Sequence, residues 1–539
     1  FSMAIPLPYV ALSINMISVL SSALTVLFLY WITVRLLDMF VPSLPGVAEG
    51  FEGGASGNGA GGNGADSDFA DGLAVASTSG VNSHSPTLIS MLGALIGAAT
   101  FAVTDTFWFN AVEAEVYAPS MFFTGIVVWL ALRWSEDADT DYANRWILLI
   151  AYMFGLALGV HLLNLLALFF VALIIYFRKY EFSIVSFLAM VGIAAAAFIS
   201  IYPITMFNLT DLIDNIGNLT LGLIGPGLYI ALVLSLVGFG IWYTHKKKYS
   251  LANLGIICYA LILVGFSTYF LIFIRAQADP PINENDPSTP SAMVSFLKRE
   301  QYGSAPLIRG FSYNNATGQI DQSKEVVFPR RHSSQARHLE YYAQFDSDIE
   351  YFIKYQINHM YWRYFAWNFI GRDHDVQDAG WNTGFTGSRH ENNPAHTAYF
   401  FIPLALGLIG MTFHARRDPK RAFSVFALFI LTGLAIILYL NQSPYEPRER
   451  DYAYVGSYFA FAIWIGMGAA GLLQALGQAV KGAPAKYGLA GLLFLAGPVW
   501  VGFQNWESHD RAGNYVARDY AWNLLQSVEP NAILFTNFV

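Results

Sequence analysis

Long apolar runs alternate with short polar turns along most of the chain, and this pattern predicts membrane-crossing helices. A run of about 20 apolar residues is enough for one crossing of a bilayer. The runs that reach or approach this length span residues 10–37, 88–107, 120–132, 146–177, 184–206, 223–243, 254–274, 396–413, 423–440, 454–476 and 487–503.

The run over residues 146–177 is too long for one ordinary crossing, and the charged turns indicate how to interpret it. Lys and Arg are enriched in cytoplasmic loops of membrane proteins. The basic turns lie at residues 178–179, 245–248, 414–421 and 481–486. All four lie on the cytoplasmic side if the run consists of two helices with a break near Gly159 to Asn164. We therefore predict a helix break there, at membrane depth and lining a cavity, and about twelve membrane segments in all.

Composition supports the same fold class, an all-α polytopic membrane protein. Of the 539 residues, 55% are hydrophobic and 13% are charged, whereas soluble domains contain roughly 25% charged residues. The net charge of -8 provides no large basic face for nucleic acid. Cys258 is the single cysteine, which excludes a disulfide framework and a cysteine metal cluster within the chain.

The distribution of apolar and polar segments divides the chain into four regions. Residues 1–275 are N-terminal membrane helices, with a cytoplasmic Gly-rich linker over 39–86 and an acidic external loop over 105–119. Residues 276–395 form an extracytoplasmic segment with an interfacial helix, residues 396–503 are C-terminal membrane helices, and residues 504–539 begin a C-terminal extracytoplasmic region. We expect the chain to be part of a longer protein.

The acidic external loop places Glu113 and Glu115 between two apolar segments. Carboxylates in this position are costly to desolvate, so they usually serve a water-filled site. Two such groups can hold a divalent cation together with a phosphate, or orient a hydroxyl nucleophile. The spacing is short enough to arise by chance, so the loop indicates a candidate site without specifying its chemistry.

Aromatic and charged residues are concentrated near the end of the external segment. Met360, Tyr364 and Trp367 have helical spacing and predict a helix that lies along the membrane surface, with Arg363 at its middle. Arg372 follows in a charged turn. Two interpretations stay open: an interfacial amphipathic helix ending in solvated charges, or a helix whose arginines meet an anionic ligand.

A second charged cluster spans residues 445–452, directly before a membrane helix. Arginine offers a planar fork that binds phosphate or carboxylate through two hydrogen bonds. The alternative is a self-neutralising ion-pair knot of Arg448, Glu449, Arg450 and Asp451 that holds the external segment in place. The sequence does not decide between these interpretations.

His161 and Asn164 form a third polar cluster, about one helical turn apart at the predicted helix break. A lone histidine inside a membrane is more often a hydrogen-bonded core residue than a ligand, and no second histidine lies at metal-ligand spacing from it. We expect the three clusters to converge on one cavity at the outer leaflet.

Several motifs resemble a family of large membrane proteins of Bacteroidetes-type bacteria, formerly of unknown function and related to the transmembrane protein O-mannosyltransferases. The similar stretches are residues 107–118, 159–164, 275–285, 364–372 and 447–455. The resemblance implies a GT-C type glycosyltransferase, which moves a sugar, by analogy mannose, from a polyprenyl-phosphate donor to Ser or Thr of extracytoplasmic proteins. It also implies a bacterial inner-membrane location with the active site facing the periplasm.

The resemblance implies roles for individual residues. Glu113 and Glu115 would be the second acidic motif of such enzymes, while the first-loop catalytic acid is expected upstream of Phe1. The implied substrate-binding residues are His161, Asn164, Arg363, Asn368, Arg372, Asp375, Arg448, Glu449, Arg450, Asp451 and Tyr452. No cofactor is certain, although a divalent cation is compatible with the family's chemistry. The expected partners are membrane lipids, the lipid-linked donor and acceptor proteins.

Two rival functions fit a helical membrane protein of this kind. A secondary transporter or lipid flippase would also use a broken helix and polar residues at the membrane midplane. The lack of a visible repeat between the two halves and the long external segment argue against it. A scaffold subunit of a larger membrane complex is the other alternative.

Overall fold

The computed structural model describes residues 9–40, 87–208, 211, 226–280, 283–298, 300, 308–479 and 483–535. Helices form nearly all of the regular structure in these ranges. Most of the predicted linker, residues 41–86, lies outside the described residues. The all-α polytopic membrane fold predicted from the apolar runs is confirmed.

The N-terminal helices follow the predicted apolar runs closely. They are α1 (Val10–Asp38), α2 (Leu88–Ala102), α3 (Asp105–Val112), α4 (Tyr117–Asp137), α5 (Asn144–Leu158), α6 (Ala167–Lys179), α7 (Ile184–Ile199), α8 (Pro226–Lys246), α9 (Ser250–Phe266) and α10 (Phe270–Gln277). A π-helical stretch, Ser200–Asn208, continues α7, and a 3₁₀ turn, Ser267–Tyr269, joins α9 to α10.

The predicted helix break near residues 159–164 is confirmed. Helix α5 ends at Leu158, and Gly159 is its C-terminal cap. His161 is extended, with φ -160° and ψ 136°, and precedes a 3₁₀ turn over Leu162–Leu166 that leads into α6. The chain therefore interrupts its apolar helix at the point where the charge distribution required a second crossing to begin.

Residues 276–395, which were predicted to be external and are called the external segment below, combine short helices with a small hairpin. Its elements are α11 (Pro290–Lys298), β1 (Arg309–Asn314), β2 (Gln319–Val327), α12 (Ala336–Tyr342), α13 (Asp348–Tyr351) and α14 (Arg363–Phe369), with a π-helical stretch over Phe352–Trp362 between the last two. The strands are antiparallel, with Arg309 opposite Val327 and Asn314 opposite Gln319. An irregularity between Gly310 and Ser312 shifts the register.

Helix α14 differs from the prediction of a helix lying along the membrane surface. All seven of its residues are buried, including Arg363, Tyr364 and Trp367. An amphipathic surface helix would keep one polar face exposed. Arg363 is buried because it has a buried partner, which is described below. The preceding stretch, Phe352–Trp362, does keep an exposed side, at Ile353, Lys354, Asn358 and Trp362.

The C-terminal helices complete the bundle. They are α15 (Ile402–Arg417), α16 (Pro419–Leu431), α17 (Leu434–Leu440), α18 (Val455–Ala479), α19 (Ala483–Phe494), α20 (Trp500–His509) and α21 (Val516–Gln526). A 3₁₀ turn, Asp451–Tyr454, leads into α18, and a π-helical stretch, Leu495–Val499, joins α19 to α20.

Helix α18 is the centre of the bundle, because the span from Asp451 to Gly477 is 72% buried in its most apolar window. It packs on α2 and α15 through glycines. A Cβ atom at Gly97 would lie 2.7 Å from the Ala462 carbonyl oxygen, and one at Gly410 would lie 1.8 Å from the Trp464 carbonyl oxygen. Small residues let membrane helices approach backbone to backbone. The close packing of α18 therefore depends on these glycines.

Seven helical stretches of the described chain are long and apolar enough to cross a membrane, or up to eight if α2 and α3, which are bent by 66°, count as one span. Two shorter apolar helices, Asn144–Leu158 and Ile230–Lys246, add to them. Each predicted membrane segment is helical over most of its described residues. Fewer of them pass this test of length and composition than the about twelve crossings predicted.

Candidate functional site

Glu113 and Glu115 lie in the short link between α3 and α4, and each contacts a different arginine. A Glu115 carboxylate oxygen is 3.3 Å from an Nη1 atom of Arg448, and a Glu113 oxygen is 3.4 Å from Nη2 of Arg511. The Glu115 side chain is 33% exposed and the Glu113 side chain is 49% exposed. The acidic pair is therefore accessible to solvent, and the contact with Arg511 was not predicted from the sequence.

Arg448 begins a row of contacts that leads to the helix break. Its side chain is 60% exposed, and its guanidinium lies 5.0 Å from the ring centroid of Tyr452. The Tyr452 ring lies 4.3 Å from that of Tyr117, which lies 5.3 Å from the His161 ring. We call Glu115, Arg448, Tyr452, Tyr117 and His161 the exposed cluster, after the exposed Arg448; the other four residues are partly buried. Its geometry agrees with the expected proximity of the acidic loop, the arginine cluster and the helix break.

Asn164 holds the helix break against α4. Its side-chain oxygen accepts hydrogen bonds from Ser120 Oγ at 2.8 Å and from Thr124 Oγ1 at 3.0 Å. His161 Nδ1 accepts a hydrogen bond from the backbone N–H of Leu163 at 3.2 Å and caps the 3₁₀ turn. Asn164 is buried, so the structure places its amide in the packing between helices.

Arg363 and Glu449 form a buried ion pair. Two hydrogen bonds join the guanidinium to the two carboxylate oxygens, at 3.2 and 2.8 Å. Arg363 also donates to the backbone carbonyls of His359 at 2.8 Å and Ala379 at 3.0 Å. Both side chains are largely buried, at 5% and 17% exposure. Arg363 is therefore bound within the protein and joins the external segment to the loop before α18.

The surroundings of Glu449 control its ionisation. Burial by itself raises the pKa of this carboxyl group, but the hydrogen bonds and positive charge of Arg363 outweigh it. The Tyr364 hydroxyl and the Asp378 backbone N–H each donate to the same carboxylate, both at 2.5 Å. The net result is a pKa below the ordinary value for glutamate, so Glu449 is anionic at neutral pH.

Arg372 pairs with Asp105, the first residue of α3. The guanidinium donates to Asp105 Oδ2 at 3.1 Å and lies 4.1 Å from the Trp367 ring centroid. His509 approaches Asp105 from α20, with its Nε2 2.9 Å from the Asp105 carbonyl oxygen and 3.5 Å from Oδ1. All four residues are buried. The prediction placed Arg372 toward an anionic ligand, whereas the structure supplies a carboxylate from its own chain.

Asp451 belongs to the same buried region through Thr106. The Thr106 hydroxyl donates to Asp451 Oδ2 at 2.6 Å. Asn368 accepts from the Thr106 backbone N–H at 3.0 Å and donates to its hydroxyl at 2.9 Å. Together with Arg372, Asp105 and His509, these residues form what we call the buried network. It joins α3, α14, α20 and the turn before α18.

Arg450 and Asp375 lie apart from both groups. Arg450 pairs with Glu446, and its backbone N–H donates to the Tyr364 hydroxyl at 3.1 Å. Its Nε atom is buried and has no hydrogen-bond partner within the described residues. Asp375 accepts from Asn393 Nδ2 at 2.7 Å in the external segment.

The residues from Arg448 to Asp451 do not neutralise one another, so the ion-pair knot considered in the sequence analysis is wrong in that form. Arg448 contacts Glu115, Glu449 contacts Arg363, Arg450 contacts Glu446, and Asp451 contacts Thr106. Arg448, Glu449 and Asp451 thus contact three other parts of the chain, and Arg450 pairs within its own loop. That interpretation also proposed that the knot holds the external segment in place. The pair of Arg363 and Glu449 does connect this segment to the loop before α18.

In the described part of the chain, one group of three side chains could hold a metal ion, and it lies outside the acidic loop. Asp373, His374 and His390 each offer a ligand atom, and these atoms all lie within 4.8 Å of one another. Glu113 and Glu115 belong to no such group of three among the described residues.

The residues that sequence reasoning missed are Asp105, Thr106, His509 and Arg511. Asp105 opens the acidic loop motif, and a carboxylate between two apolar helices is the same signal that drew attention to Glu113. The two residues of α20 and its end, His509 and Arg511, follow an apolar run without forming a recognisable motif. Only the folded chain brings them to α3.

Residues 1–54 and 68–184 match the family model of the Protein O-mannosyl-transferase TMEM260 N-terminal domain. This part of the chain is related to protein O-mannosyltransferases. The relation that the motifs predicted is thereby confirmed. No curated protein and no solved structure matches the chain.

The matched residues include one side of the exposed cluster. Glu113, Glu115 and Tyr117 lie within them, as do His161 and Asn164. The arginines that contact or adjoin this loop, in residues 363–372 and 448–450, lie outside the matched range. The two portions of the chain nevertheless meet in the structure, through Glu115 with Arg448 and Asp105 with Arg372.

Proposed function

We propose that this membrane protein transfers a sugar from a polyprenyl-phosphate donor to Ser or Thr hydroxyls of extracytoplasmic proteins. Mannose is the sugar suggested by the relation to protein O-mannosyltransferases. The location we propose is a bacterial inner membrane, with the active site on the periplasmic side. The observation that carries the proposal is the contact of Glu115 with Arg448, since it joins the family-matched loop to an exposed guanidinium.

The exposed cluster contains the two kinds of group that this reaction needs. The acceptor hydroxyl oxygen forms a bond to the anomeric carbon while the bond from that carbon to the phosphate oxygen breaks. The hydroxyl proton passes to a carboxylate, and the polyprenyl phosphate leaves with the bonding electron pair. We assign Glu115 to orienting the acceptor hydroxyl and Arg448 to stabilising the negative charge on the phosphate.

Arg448 suits a phosphate better than Arg363 or Arg372 does. Its side chain is 60% exposed, whereas those of Arg363 and Arg372 are 5% and 10% exposed and each is paired with a buried carboxylate. A phosphate that replaced Glu449 or Asp105 would leave that carboxylate buried and unpaired, which is strongly unfavourable. We therefore assign Arg363 and Arg372 to positioning the loops around the site.

A groove along α6, the helix that follows the break, offers a path for the lipid part of the donor. It lies between α6 and α7, has a volume of about 440 Å³, and is lined mainly by apolar side chains such as Leu168, Val171 and Ile193. Helix α6 begins directly after the 3₁₀ turn that His161 caps. A polyprenyl chain in this groove would direct its phosphate toward the exposed cluster.

The proposal is tested with purified full-length protein in vesicles, radiolabelled polyprenyl-phosphate mannose and a Ser/Thr-containing peptide. We expect label on the peptide that depends on the protein and on the hydroxyl side chain. A peptide with Ala in place of Ser and Thr is the control. Unmodified peptide together with protein-dependent movement of the labelled lipid between leaflets would overturn the proposal and support a flippase.

A further inference from the structure

The loop over residues 373–396, which follows Arg372, contains three histidines, and two of them have imidazole nitrogens available for a ligand. His374 Nδ1 is buried and has no hydrogen-bond partner within the described chain. The His390 ring is exposed and packs 4.3 Å from the His374 ring. Asp373 lies beside them, with its Oδ2 3.9 Å from His374 Nε2. Two imidazoles and a carboxylate therefore face one small volume.

The third histidine, His396, is already bound. Asn382 donates from its Nδ2 to the Thr397 carbonyl and accepts at Oδ1 from the Gly384 N–H, so its amide orientation is fixed. The same Nδ2 lies 3.1 Å from His396 Nε2 and donates to it. The imidazole proton is then on Nδ1, which donates to the Asp373 carbonyl at 2.9 Å. His396 thus supports Asp373 and has no nitrogen left for a ligand.

Asp373 is held in place by the same part of the loop. Ser388 Oγ donates to Asp373 Oδ1 at 2.6 Å, and His396 Nδ1 lies 3.4 Å from the same oxygen. The opposite oxygen, Oδ2, faces His374. Carboxylates that bind metals are usually fixed by hydrogen bonds of this kind from outside the ligand set.

We propose that Asp373, His374 and His390 bind a divalent transition-metal ion of the zinc type. Imidazole nitrogens favour zinc and its neighbours, whereas Mg²⁺ and Ca²⁺ prefer oxygen ligands. Ligand atoms of tetrahedral zinc lie roughly 3.3 Å apart, given bond lengths of about 2.0–2.1 Å. The present separations, all within 4.8 Å, need only a small inward movement of the three side chains.

Metal binding here would order the loop that presents Arg372. The Arg372 side chain donates from Nε to the His374 carbonyl at 2.8 Å, while Nη1 contacts Asp105. An ion on His374 would therefore fix the residue that orients this guanidinium. The inference concerns binding and loop order, and it does not depend on the proposed glycosyl transfer.

The test uses full-length protein in detergent, purified without a polyhistidine tag and stripped with EDTA. Addition of Co²⁺ should produce the visible absorption bands of a low-symmetry site at one equivalent, and Zn²⁺ should displace them. The expected effect of His390→Gln or Asp373→Asn is a loss of affinity of more than about 100-fold, because even the outer partners of a metal site contribute 10–100-fold. Ser388→Ala should weaken binding about 10-fold.

His245→Gln is the matched control, since it also removes one exposed imidazole but lies in α8, outside the loop. It should bind Co²⁺ as the wild type does. Because His390 is exposed, its substitution leaves the packing intact, and an unchanged thermal unfolding temperature in EDTA confirms this. The proposal would be overturned if the wild type gave no Co²⁺ signal at one equivalent, or if His390→Gln bound Co²⁺ as tightly as the wild type. It would also be overturned if Mg²⁺ displaced Co²⁺ as effectively as Zn²⁺ does.

Discussion

The side chains of Glu115 and Arg448 meet at 3.3 Å although 333 positions separate them in the chain. Both side chains remain partly exposed, so the contact contributes little to stability: exposed ion pairs contribute about 0–1 kcal/mol. A pair that is brought together by the fold but stabilises it only slightly is well placed to exchange its partners for a ligand.

The buried pair of Asp105 and Arg372 is expected to behave in the opposite way. Asp105→Asn removes the charge that compensates a largely buried guanidinium, and breaking such a pair destabilises a protein by about 3–5 kcal/mol. Thermal or denaturant unfolding in detergent measures this loss. Glu113→Gln, which alters an exposed contact with Arg511, should change stability by less than about 1 kcal/mol. Equal stability of the two variants would contradict the structural role of the buried network.

The pair of Arg363 and Glu449 gives a second stability prediction. Glu449→Gln should destabilise the fold by about 3–5 kcal/mol, because Arg363 loses its counter-charge in a buried position. Replacing both residues by apolar side chains of similar volume should recover much of this loss. A double variant as unstable as Glu449→Gln would show that the two residues do not act as a pair.

The same carboxylate predicts a pH dependence. The pKa of Glu449 is lowered in the folded state, while that of an unfolded glutamate is about 4.3. Its stabilisation is therefore fully present above the unfolded pKa and is lost as the pH falls through the lower, folded value. At pH values under about 4, we expect the free energy of unfolding of the wild type to decrease. Part of this decrease comes from Glu449 and should be missing in Glu449→Gln. Parallel pH profiles of the two proteins would contradict this.

Packing around α18 is tested by adding a single methyl group. Gly97→Ala places a Cβ atom 2.7 Å from backbone atoms of Ala462 and Gly466, and overpacking of this kind costs about 1–3 kcal/mol. Gly192→Ala is the control, since nothing lies within 4 Å of its Cβ position. The control should be neutral or stabilising by up to about 1 kcal/mol. The unfolding temperature of Gly97→Ala should therefore fall, while that of Gly192→Ala should stay unchanged or rise.

Much of the fold could be predicted because membrane helices are visible as apolar runs. The break between Gly159 and Asn164 followed from the length of the apolar run and from charge bias, since a single crossing would have placed later basic turns on the wrong side. Glycine-mediated packing, as between Gly97 and Gly466, was not predicted, because the identity of the neighbouring helix cannot be obtained from one sequence.

The candidate site was predictable only in part, for a related reason. Glu115 and Arg448 were recognised as charged residues beside apolar helices, and the fold brings them together. The spacing of Met360, Tyr364 and Trp367 placed Arg363 on an interfacial helix or against an anionic ligand. Its actual partner, Glu449, lies 86 positions away, and arginine is almost never fully buried unless it is paired. Long-range pairing of this kind depends on tertiary structure, and so does the contact of Asp105 with Arg372.

The proposed glycosyl transfer depends most directly on the exposed guanidinium of Arg448. The decisive measurement is sugar transfer to a Ser/Thr peptide by full-length Arg448→Ala, compared with wild type and with Arg309→Ala, which removes an exposed arginine from β1. The account predicts that Arg448→Ala loses about 100-fold or more in rate, with an unchanged unfolding temperature, while Arg309→Ala keeps full activity. Full activity of Arg448→Ala would contradict the proposed site.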